Sequence, residues 1–292
     1  MKKEHPIIEN EHKEMPFYIC RLEKASLNRT GNATTIEVYL NSKNFLENVS
    51  LDETGMSTNP WIELLTKRKN PSRDFLKRQL ELFEKGESVE IADENNPIRW
   101  VGSGALLILE TADEKQYAVL NKRHPKFAWG NFYDANGGYS SSIVDMLNPD
   151  TLAKREVAEE IKIEKRGNEL KFDLLNPSAL LPKNPVQAII HFKGQTFITD
   201  NLILIIDPET GTIDFRQILK IRLETLEGIV ITDHEEMFAD KTSKISQKRP
   251  ILTVPLEELI AIRETNRVIT LPEFTITQEL LTPSLKAILE NL

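Results

Sequence analysis

Residues 137–163 read GGYSSSIVDMLNPDTLAKREVAEEIKI, and this stretch decides both the fold and the chemistry. Asn148-Pro149-Asp150 predicts a helix start, with Asn148 or Asp150 near the N-cap and Pro149 pre-set for the first turn. The helix continues through residues 152–161. Within it Glu156, Glu159 and Glu160 stand at i, i+3 and i+4, a spacing that predicts one shared face. Val157 and Ile161, joined by Leu152 and Ala153, form an apolar face able to pack on a sheet. Three like charges within one turn repel each other, so a cation should offset them. Hard carboxylate oxygens at this spacing suit Mg²⁺ or Mn²⁺. Arg155 is adjacent and can orient one carboxylate by a forked hydrogen bond. A solvated acidic helix face is the plainer reading of the same spacing. Upstream, Asn136-Gly137-Gly138 reads as a close backbone approach to metal or phosphate, or as an ordinary turn.

Working outward, the texture is that of strands with a few helices. Residues 100–110 (WVGSGALLILE) and 116–121 (QYAVLN) read as strands, as do 188–192, 197–206, 228–232 and 251–254. Helices are expected from Pro255 (PLEELIAIR) and from Pro283 (PSLKAILENL). Nearer the start, residues 15–40 read as two strands around a turn at 28–32. Residues 72–85 are helical in pattern, with Phe75, Leu76, Leu80 and Phe83 on one face and Gly86 as the stop. The segment GESVEIADENNP (86–97) marks a domain boundary. It leaves a smaller α+β domain at 1–96 and an α/β domain at 97–292.

The order of these features resembles the Nudix hydrolase family. Its box runs Gly, five residues, Glu, seven residues, then Arg-Glu-aliphatic-x-Glu-Glu-x-Gly-aliphatic. Here Gly138 is followed by REVAEEIKI at 155–163, which matches every specified position of the REVAEE core and the final aliphatic residue, Ile163. VPLEEL at 254–259 looks like the family's strand-into-helix ending. Lys162 replaces the late glycine. The spacing from Gly138 to Arg155 is also three residues too long. The first glutamate therefore falls at Val144 counted forward, or at Leu147 counted back, and Asp145 or Asp150 is the candidate substitute.

The resemblance implies a Nudix-like α/β/α sandwich with a mixed sheet. It implies a Mg²⁺- or Mn²⁺-dependent hydrolase that cleaves the pyrophosphate bond of a nucleoside diphosphate linked to another moiety. Glu156, Glu159 and Glu160 match the metal-binding carboxylates, one of which, or a further acid outside the box, serves as general base. Arg155 matches the arginine that positions the box. Gly137 matches a residue whose carbonyl joins the metal shell. Many family members place an extra metal-binding or base glutamate in the region of Glu235 and Glu236, which follow an apolar strand here and are the candidates for it, or else part of an exposed loop. A second reading is a catalytically weak module on the same fold that senses a nucleotide or binds a protein.

Other residues fill out the expectation. Lys122 and Arg123 follow the second strand and can hold substrate phosphates, or simply end the strand in charge. Trp129 can stack on a base, although core packing explains aromatics there as well. The chain has 292 residues, 40% of them apolar, enough for a real core. The 45 acidic residues against 37 basic ones give a net charge of −8, which argues against a nucleic-acid partner and leaves room only for a local basic pocket for one small phosphorylated ligand, such as the nucleotide substrate that the resemblance implies. One cysteine, Cys20, forms no internal disulfide and makes a reducing cytoplasm the default. No apolar run is long enough to span a membrane. The resemblance also allows a homodimer.

Overall fold

The structure, a computed structural model, describes residues 18–41, 47–48, 70–123, 130–140, 143–170, 181–233, 250–265 and 267–292. Strands β1 (Tyr18–Leu22), β2 (Ala25–Thr30), β3 (Ala33–Leu40) and β4 (Glu47–Asn48) come first, then helix α1 (Arg73–Glu84) and β5 (Val89–Ala92). Next are β6 (Ile98–Thr111), β7 (Gln116–Lys122), β8 (Tyr133–Asp134) and β9 (Asn136–Tyr139). Helices α2 (Ile143–Leu147) and α3 (Pro149–Glu160) run directly into β10 (Ile161–Lys165), followed by β11 (Asn168–Glu169). The long strands β12 (Val186–Phe192), β13 (Gln195–Asp207) and β14 (Thr212–Leu223) precede β15 (Ile229–Asp233). The chain closes with β16 (Ile251–Pro255), α4 (Leu256–Thr265), β17 (Ile269–Thr270), β18 (Thr275–Ile276) and α5 (Pro283–Glu290).

Thirteen of these strands form one mixed sheet, whose main path is β16-β7-β6-β14-β13-β12-β3-β2-β5. The β6–β14 and β3–β12 ladders are parallel, and the others along the path are antiparallel. Strand β6 is apolar and buried along almost its whole length, as expected where both faces are covered. Its odd residues Ala105, Leu107 and Leu109 pack with Ala153 and Val157 of α3. Its even residues Leu106 and Ile108 pack with Leu259 and Ile262 of α4 and Leu285 and Ile288 of α5. The period-2 alternation of one strand thus gives it a core on each face, and the layers are α/β/α, as expected from the resemblance.

Strands on both sides of residue 96 share these ladders: β1 pairs with β6, and β3 with β12. The 15–40 stretch holds three strands rather than two, with β1 leaving to join β6. Helix α1 ends at Gly86, which adopts φ +97°, a conformation glycine takes without steric cost.

Strand β14 is the main element not foreseen. Its sequence, TIDFRQILKIRL, mixes four charges into the apolar run, yet it lies in the middle of the sheet. The charges are partnered. Lys220 and Arg222 both reach Glu110 of β6, Arg222 at 2.9 Å, and Gln116 donates to the same carboxylate at 2.9 Å. The Lys220 ammonium, then Gln116, hold the Glu110 carboxyl down to about 2. A depressed carboxyl stabilises the fold above its ordinary value of 4.5, and that contribution is lost as pH falls toward 2. Glu110→Gln is therefore expected to flatten the loss of melting temperature between pH 5 and pH 3 relative to wild type. Equal acid slopes in the two proteins would show that this cluster carries no such linkage.

Candidate active site

The site forms where α3 crosses β9. The helix begins at Pro149, with Asn148 at the cap position, and its Leu152, Ala153 and Val157 are buried against the sheet. That orientation turns Glu156 and Glu160 inward over the two glycines of β9. They are 6% and 3% exposed. Glu160 Oε2 accepts the backbone N–H of Gly137 at 3.1 Å. The Glu156 carboxylate lies so close to Gly138 that a Cβ there would stand 2.0 Å from Oε2. The absence of a side chain at Gly138 is thus what lets the Glu156 carboxylate approach the strand. Glu159 does not share this face. Its side chain is 47% exposed and meets Arg155 Nε at 3.5 Å. A 100° step per residue puts it at the rim, so the shared face expected for all three carboxylates holds for two.

Arg155 stands between two buried acids. Its Nη1 donates to Asp145 Oδ1 at 2.6 Å and its Nη2 to Glu156 Oε1 at 3.3 Å. Burial works against its charge, but the hydrogen bonds and charges of Asp145 and Glu156 more than offset this and raise its pKa. Asp145 lies on the short helix α2, within the segment that lengthens the box. The structure therefore separates the two substitutes for the first glutamate. Asp145 is buried beside Arg155, while Asp150 lies 3.5 Å from Lys154 as an ordinary i,i+4 pair.

On the opposite face of the same glycines lies Arg216 of β14, in register with Gly104, which is in turn in register with Gly137. Its Nη1 would stand 2.1 Å from a Cβ on Gly104 and 2.3 Å from one on Gly137. Arg216 is 8% exposed and pairs with Asp214, Nε at 2.7 Å and Nη2 at 2.5 Å from Oδ2. Burial pushes the Asp214 carboxyl up, against the pull of Arg216. The sequence reading missed both residues because β14 itself was not foreseen. The one available signal was charge at alternate positions, 214 and 216, inside an apolar run.

The substrate candidates divide. Arg123 Nη1 donates to the buried Asp134 at 2.8 Å, and Thr282 donates to the other Asp134 oxygen at 2.6 Å. Lys122 places its ammonium 5.7 Å from the ring centres of Tyr133 and Phe274. Trp129, Glu235 and Glu236 lie outside the described residues.

The donor set fits a hard divalent cation in chemistry: two buried carboxylates one helical turn apart beside an open glycine backbone. Among the described residues no three His, Cys, Asp or Glu side chains form a ready cation cage. Mg²⁺ does not demand one, since it usually takes one or two carboxylates and keeps water or substrate phosphate for its other positions.

No protein-family model matches this chain, and no curated protein matches it. Among solved structures, a NUDIX hydrolase from Alicyclobacillus acidocaldarius is similar at a TM-score of 0.34 and 10% identity, over 64% of this chain and 88% of that one. A MutT NUDIX hydrolase from Burkholderia pseudomallei is similar at 0.30 and 13%, over 65% and 98%. A Nudix hydrolase from M. smegmatis is similar at 0.28 and 13%, over 68% and 88%. Overlap at this level assigns no activity to the chain. No helix among the described residues is long and apolar enough to cross a membrane.

Proposed function

We propose that the chain is a Nudix-type hydrolase, dependent on a divalent metal, that cleaves the pyrophosphate bond of a nucleoside diphosphate linked to another moiety. One observation carries this: Glu156 and Glu160 are buried one turn apart and fitted onto the Gly137-Gly138 backbone. Burying two carboxylates is costly unless charge compensates them, and Arg155 reaches Glu156 but is shared with Asp145 and Glu159. Glu156 and Glu160, with the Gly137 carbonyl, would hold Mg²⁺ or Mn²⁺. When bound, such an ion supplies charge neutralisation at the phosphoryl oxygens and a more acidic water. Arg155 fixes the Glu156 carboxylate. Glu159, open to solvent at the rim, would take the proton of the attacking water. Positioning and neutralisation are the main demands of phosphoryl transfer, and this site is built for both.

The test is hydrolysis of a panel of nucleotide sugars, dinucleotides and nucleoside triphosphates, with Mg²⁺ and with Mn²⁺, the monophosphate products being converted to inorganic phosphate by an added phosphatase or, for the triphosphates, the released pyrophosphate by a pyrophosphatase. Wild type is expected to hydrolyse at least one class, and Glu156→Gln/Glu160→Gln to lose at least about 100-fold. Folded wild-type protein silent on every substrate would overturn hydrolysis and leave a nucleotide-sensing or protein-binding module on the same fold.

A further inference from the structure

One peptide group links the two charged clusters described above. The Asn136 carbonyl accepts Arg216 Nη1 at 3.3 Å. The amide N–H of the same peptide, belonging to Gly137, donates to Glu160 Oε2 at 3.1 Å. A trans peptide is planar and points its C=O and N–H in opposite directions. The guanidinium and the carboxylate therefore hold one rigid unit from opposite ends. Each end is anchored. Asp214 pairs with Arg216 through two of its nitrogens, and α3 carries Glu160 as its last residue. The path is also sterically committed, because a Cβ on Gly104 or Gly137 would collide with Arg216 Nη1. A buried arginine laid across two glycines, spending one arm on a backbone carbonyl, is more than the Asp214 pair needs.

We infer that Arg216 is a positioning residue for the proposed metal site: through the Asn136–Gly137 peptide it sets where the Glu160 carboxylate and the Gly137 backbone stand. The inference rests on the metal-hydrolase reading. Polarising the Asn136 carbonyl strengthens the Gly137 N–H as a donor to Glu160, since hydrogen bonds in series reinforce one another. Partners that orient metal ligands typically change affinity or activity by about 10–100-fold when removed.

The experiment uses the full chain in three forms. Arg216→Lys keeps the charge beside Asp214 and loses the second arm. Asp214→Asn/Arg216→Met removes both charges, so that neither is left buried alone. Glu160→Gln reports on the metal ligand itself. Mn²⁺ binding is titrated by electron paramagnetic resonance, the Gly137 amide proton is followed by NMR without metal, and hydrolysis is measured on the best substrate. Both Arg216 variants are expected to bind Mn²⁺ about 10-fold more weakly. The Gly137 amide should move upfield, and kcat should fall while KM changes less than about twofold.

Folded Arg216 variants with wild-type Mn²⁺ affinity and an unmoved Gly137 amide overturn the inference alone, provided Glu160→Gln loses the metal. Neither variant folding assigns Arg216 to the core and also overturns it. Wild-type protein that takes up no Mn²⁺ overturns the metal-hydrolase reading, and this inference with it.

Discussion

Arg155→Ala is expected to destabilise the protein by about 3 kcal/mol, the lower end of what removing one partner of a buried ion pair costs. Asp145 and Glu156 are both buried, and Arg155 is their shared donor. Deleting it leaves two carboxylates repelling each other beneath α2 and α3. The estimate stays at the low end because the Arg155 side chain is 36% exposed, and water can enter part of the space it leaves. At about 2–4 °C per kcal/mol for chains of this size, the melting temperature should fall by about 6–12 °C. Arg155→Lys should lose about 1 kcal/mol, since one ammonium cannot fork between two acids. Differential scanning calorimetry decides this, and an Arg155→Ala midpoint indistinguishable from wild type would show that Asp145 and Glu156 do not depend on the arginine.

Gly138→Ala is expected to act on activity far more than on stability. The new methyl would occupy the place of the Glu156 carboxylate, 2.0 Å from Oε2 and 2.5 Å from Cδ. These atoms end a flexible side chain, so the clash is relieved by swinging the carboxylate away. The backbone of β9 need not move. Displacing a reacting or ligating group by about 1 Å costs on the order of 100-fold in rate. Hydrolysis should fall by about that factor, while the melting temperature falls by no more than about 4 °C, the equivalent of about 1 kcal/mol. Gly104→Ala is the control in the other direction. Its methyl would meet backbone, Asn136 O at 2.4 Å and Gly137 Cα at 2.7 Å, so it should unfold or strongly destabilise the protein. Full activity in Gly138→Ala would mean that Glu156 does not work from the position it holds here.

The sequence made the helix and its apolar face legible because their signals are local. Pro149 opens α3, and the stripe of Leu152, Ala153 and Val157 fixes which side meets the sheet. What it could not show was how that rotation divides the acids. Spacing puts Glu156, Glu159 and Glu160 within one turn, but only tertiary packing buries two and leaves the third at the rim. Asp145 was visible as a residue and not as a partner, since its place beside Arg155 depends on the turn between α2 and α3. Arg216 was invisible for a more general reason. Charges at alternate positions usually mark a solvated strand face, yet here Asp214 neutralises Arg216 inside the sheet and two glycines on neighbouring strands make room for it. No short window of sequence contains all four residues.

The parallel ladder between β3 and β12 has a consequence for biosynthesis. β3 leaves the ribosome long before β12 exists, and at about 5–20 residues per second the wait is on the order of ten seconds. During that time β3 has only β2 beside it, and one of its edges stays unsatisfied. Strand β5 adds a third strand on the far side of β2 once residue 92 is made, but it does not cover that edge, and an open apolar edge is where nascent chains stick to one another. The first part of this chain is therefore made before the strand that completes it, and its yield in a cell should depend on chaperone supply and on growth temperature.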